Sequence, residues 1–176
     1  VGAAIGTAVG AGTGALIGKH MDKVKAEAEA VKNAQVQTVT DANGLQAVKV
    51  TFDSGILFDT NKADLKPAAK TSLTKFAEVL KNNTDCDVAI YGHTDNTGND
   101  AINMPLSKNR AASVQNFLSN LGVSAGQFKA VDGQGSTNPV ADNTTAAGRQ
   151  QNRRVEVYMY ASANMINAAN NGTLNK

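Results

Sequence analysis

The first eighteen residues, "VGAAIGTAVGAGTGALIG", place Gly2, Gly6, Gly10, Gly14 and Gly18 at every fourth position. Glycine costs about 1 kcal/mol per helix position relative to alanine, so a soluble surface helix has no reason to carry five on one face. Residues four apart stack on one side of a helix. A glycine stripe there lets another helix, or lipid, come unusually near, as in the small-xxx-small arrangement of membrane helices. A flexible Gly/Ala tail has the same composition, but strict period four favours the packed helix. Val1 to Ile17 is uncharged yet shorter than the ~20 residues that span a bilayer. It reads as a segment that inserts with a partner copy or lies against a membrane. Residues 1–18 are therefore expected to form a glycine-zipper helix, membrane- or self-associating.

Residues 19–44 change character. "KHMDKVKAEAEAVKNAQVQ" is rich in Ala, Glu and Lys, with Lys25 four residues before Glu29. This predicts a solvated helix continuing the first. Its apolar positions Met21, Val24, Ala28 and Val31 make only a narrow stripe, so it reads as a stalk or linker that closes at the turn signal "TDANG".

Residues 45–162 read as a folded module. "LQAVKVTFD" alternates with the period of a strand, and "KPAAKTSLTKFAEVLKNN" has the stripe Ala69, Leu73, Phe76, Ala77, Leu80 of a helix, with Pro67 in its first turn. "DVAIYG" is a second strand. "MPLSKNRAASVQNFLSNLG" is a second helix, with Pro105 in its first turn and a stop at Gly122. "FKAVDGQG" reads as a third core strand, Ser136–Gln151 as a long polar loop with room for a short helical turn, and "RRVEVYMY" as the last strand. The order βαβαββ predicts an α/β (α+β) sandwich, a mixed β-sheet with two main helices on one face. Residues 163–176 are expected to be a flexible tail.

Length and charge narrow the function. The 176 residues are 41% hydrophobic, enough for one core, and a net charge of +2 produces no field of the kind nucleic-acid binding requires. Cys86, the single cysteine, falls in a strand and reads as an inert buried thiol.

The chemistry concentrates in "YGHTDNTGNDAINMPLSKNRAASV", a strand end, a polar loop and a helix start, where α/β sheets tend to bind ligands. Arg110 shares the helical stripe of Leu106, Val114, Phe117 and Leu121. A guanidinium there is either paired in a cleft or a snorkelling side chain at the helix edge. Asp95 lies in the loop before it. The two could form a structural bridge, or serve as the poles of a site. As poles, Asp95 would attract an ammonium and Arg110 would clamp a carboxylate, which suits a zwitterionic amino-acid centre. His93 and Asp95 have H-x-D spacing without a third metal ligand, no Gly-x-Ser-x-Gly elbow is present, and neither cofactor nor catalysis is expected.

Three blocks, "GILFDTNKADLKPAA", "YGHTDNTGNDAINMPLSKNRAASVQNFLSNLGV" and "VDGQGSTNPVADNTTAAGRQQNRRVEV", together resemble the C-terminal OmpA-like domain, over roughly Val48 to Tyr160. The glycine stretch resembles the zipper that precedes this domain in some outer-membrane lipoproteins. The resemblance implies non-covalent binding of peptidoglycan, through the diaminopimelate of its stem peptide, by a periplasmic module associated with the outer membrane. It assigns the grip to Asp95 and Arg110 and places Thr94, Asn103 and the turn of Phe58, Asp59 and Asn61 around the ligand. Arg153 and Arg154 belong to the same pattern and read as largely structural. The rival is a glycine-zipper assembly protein, a homo-oligomer at the membrane for which wall binding is secondary.

Overall fold

In the computed structural model, which describes residues 6–175, the chain forms α1 (Thr13–Glu29), β1 (Ala34–Thr40), β2 (Gln46–Asp53), α2 (Ser54–Leu57), α3 (Pro67–Asn82), β3 (Cys86–His93), α4 (Asp100–Asn120), β4 (Phe128–Gly133), α5 (Ala146–Asn152), β5 (Arg154–Ala161) and α6 (Ala163–Asn170). The strands make one mixed sheet in the order β1-β2-β5-β3-β4. Only β3 and β4 run parallel. The expected βαβαββ run is β2-α3-β3-α4-β4-β5, with β5 inserted at the centre of the sheet and buried on both faces. β4 differs from the expected core strand: it is a sheet edge, and most of its residues stay half-buried or exposed.

Strand alternation sorts the faces. Val48, Val50, Phe52, Val88, Ile90, Val155, Val157 and Met159 point into one apolar core. α3 and α4 cover that core, with Phe76 of α3 edge-on to Phe52 at 5.5 Å between ring centroids. Pro67 opens α3, where its missing N–H costs nothing. α4 differs from expectation at its start. The Asn99 side chain accepts from the Ile102 N–H at 3.1 Å, so the helix begins at Asp100 and Pro105 sits inside it rather than in its first turn. It ends as expected, with Gly122 at φ 101°.

The N-terminal region departs most from the sequence reading. Gly2 and the rest of residues 1–5 lie outside the described residues. Gly12, at φ 79°, caps a helix that starts only at Thr13, so the zipper positions Gly6 and Gly10 precede it. The helix is not a solvated stalk. Thr13, Ile17, Met21, Val24 and Ala28 line one side of α1 and are buried against the core face of β1 and β2. At about 1.5–3 kcal/mol for each large side chain removed from water, Ile17, Met21 and Val24 outweigh the exposure of the charged face, where Lys25 meets Glu29 at 3.4 Å. Residues 34–40, expected in the linker, pair along β2 as an edge strand.

The described part of the expected tail, residues 163–175, is also ordered. Ser162 caps α6 by accepting from Met165 N–H at 3.1 Å, and Met165, Ile166 and Ala169 are buried. Asn170 latches α6 to the chain entering α1: its Oδ1 accepts from Gly10 N–H at 2.9 Å and its Nδ2 donates to Ala8 O at 2.8 Å. Among the described residues no helix is long and apolar enough to cross a membrane. Cys86 is fully buried, and burial pushes its thiol well above the ordinary value.

Candidate functional site

β3 delivers Thr94 and Asp95 to the end of the sheet. Thr94 N–H donates to Gly135 O at 2.9 Å, tying the strand end to the loop after β4. The Asp95 carboxylate accepts from Thr97 N–H at 2.8 Å, an Asx turn that fixes its direction. Asn103, on the first turn of α4, donates to Thr97 O at 3.0 Å and holds the same loop from the other side.

Arg110 reaches this point because α4 lies almost flush on β3 and β4. A Cβ on Gly92 would collide with the Ser107 carbonyl, and one on Gly133 with the Lys108 amide, so the approach requires glycine at both positions. Arg110 is 6% exposed. Its Nε donates to Lys62 O at 2.9 Å, its Nη2 to Asp59 O at 3.2 Å, and its guanidinium carbon stands 4.9 Å from the Phe58 ring centroid. The turn carrying these carbonyls closes through Lys62 N–H to Asp59 O at 3.0 Å, with Asn61 at φ 59°, a left-handed conformation that asparagine tolerates. Arg110 Nη1 makes no hydrogen bond to protein among the described residues.

These groups border one cleft of about 390 Å³, a size suited to a small ligand. Phe58, Asn61, Thr94, Asp95, Asn103 and Arg110 all line it, whereas Asp59 enters through its carbonyl alone. Of the two arrangements open to Asp95 and Arg110, the direct bridge is not formed. Asp95 bonds Arg153, which also lines the cleft, and makes no ion pair with Arg110 among the described residues. Strand parity separates the two arginines. Arg153 has the parity of Val155 and stays on the cleft side, while Arg154 turns to the opposite face and bonds Glu156 at 2.9 Å. Only Arg154 fits the structural role expected of both.

Burial alone would raise the Asp95 carboxyl, but the Thr97 amide and hydroxyl and the Arg153 guanidinium together hold it below the usual value. Burial and then the charge of Arg153 lower Arg110. The cleft thus presents one carboxylate and two guanidiniums at fixed positions. Such a set is chemically complementary to an ammonium at Asp95 and to a carboxylate at the open Nη1 of Arg110.

On the opposite face of the sheet, Glu156 joins neighbouring strands. It accepts from His93 Nε2 at 3.2 Å, Lys49 Nζ at 3.1 Å and Tyr158 OH at 3.0 Å in addition to Arg154. Burial opposes its charge, and the hydrogen bonds from His93 and Arg154 overcome that, holding it far below the ordinary value. This cluster was not found in the sequence, although the alternation Arg154, Glu156, Tyr158 on one strand was there to be read.

Residues 57–153 match the OmpA family, and residues 1–25 match the glycine zipper family. The chain is 38% identical over 179 residues to the probable lipoprotein YiaD of Escherichia coli (strain K12), with 89% of this chain and 81% of that protein covered. It is 44% identical over 111 residues to the peptidoglycan-binding protein ArfA of Mycobacterium tuberculosis, covering 63% of this chain but only 34% of that one. Among solved structures, the cell wall anchor of the T6SS from Pseudomonas aeruginosa superposes with a TM-score of 0.66 at 28% identity, over 81% of this chain and 97% of that one.

Proposed function

Because the chain belongs to the OmpA family and carries a glycine-zipper match ahead of it, we propose that it binds peptidoglycan without chemistry, through the diaminopimelate of the stem peptide, and anchors the outer membrane to the wall from the periplasm. The observation that carries the reading is the convergence of Asp95, Arg110 and Arg153 on one cleft. Diaminopimelate ends in a free amino-acid centre, so its ammonium and carboxylate meet the carboxylate and the guanidiniums. The incoming ammonium shares Asp95 with Arg153, and the ligand carboxylate gives Arg110 the acceptor that its Nη1 lacks. The names of similar proteins, a peptidoglycan-binding protein and a cell wall anchor, support binding to the wall. Affinity at one small cleft is modest, and many copies facing a continuous wall raise retention.

Assembly through the glycine stripe is a second reading, favoured by Gly14, where an added Cβ would meet nothing within 4 Å and packing inside the described fold leaves the glycine unexplained.

Sedimentation with purified diaminopimelate-type peptidoglycan tests the proposal. The parent is expected to pellet, while Asp95→Ala and Arg110→Ala, with unchanged circular dichroism, stay in solution. A parent that stays in solution, or folded variants that pellet equally well, would overturn it.

A further inference from the structure

Among the described residues, the sheet face opposite the helices has no second layer across β1 and β2. Gln35 and Gln37 of β1 lie on that face, in register with Thr51 and Lys49 of β2, and Thr51 is in register with Glu156 of β5. The loop before α5 and α5 itself rise beside these rows, bringing Val140 and Gln150 to the wall of a trough of about 760 Å³. The trough adjoins the cleft at Arg153. Arg153 lines both, and Asp53 of the trough is followed in the chain by Ser54 and Gly55 of the cleft.

The charges that line the trough are mostly paired. Glu156 already holds Lys49, Arg154, His93 and Tyr158, so the charged floor is internally satisfied and fixed. Asp53 accepts from Gly55 N–H, and Arg153 is committed to Asp95. The side chains of Gln35 and Gln37 are exposed and make no hydrogen bond to protein among the described residues. Gln150 reaches only Asp53, at 3.4 Å. Val140, 53% exposed, adds an apolar patch at the rim. Amides on a rigid floor, each both donor and acceptor, match a neutral ligand with hydroxyl and acetamido groups better than an anion or a cation.

We propose that this trough binds the N-acetylated amino-sugar strand of peptidoglycan while the cleft holds its stem peptide. The inference rests on the stem-peptide reading of the cleft. Diaminopimelate's own carbon chain, two residues and a short ether link separate the held centre from the sugar, the two residues alone reaching about 7 Å, a span that favours a neighbouring site over one across the molecule. One or two neutral hydrogen bonds correspond to about a tenfold gain in affinity.

Calorimetric titration of the full chain with three probes tests this: a diaminopimelate-containing stem tripeptide, the same tripeptide on its disaccharide, and glycan strands stripped of peptide by an amidase. The disaccharide form is expected to bind the parent about tenfold more tightly than the tripeptide. In Gln35→Ala/Gln37→Ala that gain is lost and the tripeptide affinity is unchanged. Equal affinity of the two peptide probes for the parent overturns the trough, as does a double variant that weakens both alike. If the tripeptide fails to bind, the cleft reading fails separately. The stripped strands then decide the trough: binding that the double variant abolishes supports it, and no binding overturns it.

Discussion

Met21 lies at the middle of the α1 stripe and has no exposed surface. On a free spacer helix, Met21→Ala would leave stability unchanged or raise it by a few tenths of a kcal/mol, because alanine is the better helix former. On the docked helix, the substitution deletes a buried side chain and opens a cavity, at a cost of about 2–5 kcal/mol. The lower part of that range, about 2–3 kcal/mol, fits this site. α1 lies over the edge pair β1 and β2, where neighbours can relax into the gap. For a chain of this size that lowers Tm by about 4–12 °C. The two arrangements therefore differ in sign as well as in size. Urea unfolding followed by far-ultraviolet circular dichroism is the assay, since the chain has no Trp. The midpoint is expected to fall with the m-value unchanged. A midpoint at or above that of the parent would refute the docking of α1.

Gly133→Ala drives a methyl into the backbone of α4 at Lys108. It is expected to destabilise by about 1–3 kcal/mol and to weaken wall pelleting, because Arg110 moves with the helix; a variant within about 0.5 kcal/mol of the parent would show that the approach is not tight. The Asp95 carboxyl, held low in the folded protein, contributes fully above its unfolded value of about 3.9, and that contribution is lost as pH falls through the lower folded value. Pelleting is therefore expected to stay level from about pH 7 down to about pH 4 and to fade below, with folding checked at each pH; loss between about pH 7 and pH 5 would point to a group other than Asp95.

Elements with a strong period or a local stop were legible. α3 announced itself through its stripe and Pro67, and the ending of α4 through Gly122. Arg110 was legible because a charge on an apolar stripe needs an explanation. α1 was not, because its stripe is no wider than that of a solvated helix; what decides its docking is the bare core face of β1 and β2, which no local pattern records. β1, "AQVQTVT", carries few large apolar residues because an edge strand under a helix buries only part of its surface. The Asp95–Arg153 pair is not legible in the sequence, because two adjacent arginines look alike in a string, whereas a strand sends them to opposite faces.

The placement of α1 has a mechanical consequence. Asp22 bonds Gln46 at 2.6 Å, and His20 meets Asp85 at 3.1 Å, so the first half of α1 lies at the sheet end opposite Asp95. Under the proposed anchoring, tension between membrane and wall enters at one pole and leaves at the other. β3 and β5, paired from Cys86–Ala161 to His93–Arg154, are then loaded along their length, in shear. α1 meets that load first and can peel from its start, one turn after another. Its 17 residues measure about 26 Å as a helix and about 58 Å extended. The anchor therefore carries about 30 Å of slack that pays out before the wall-binding cleft is strained.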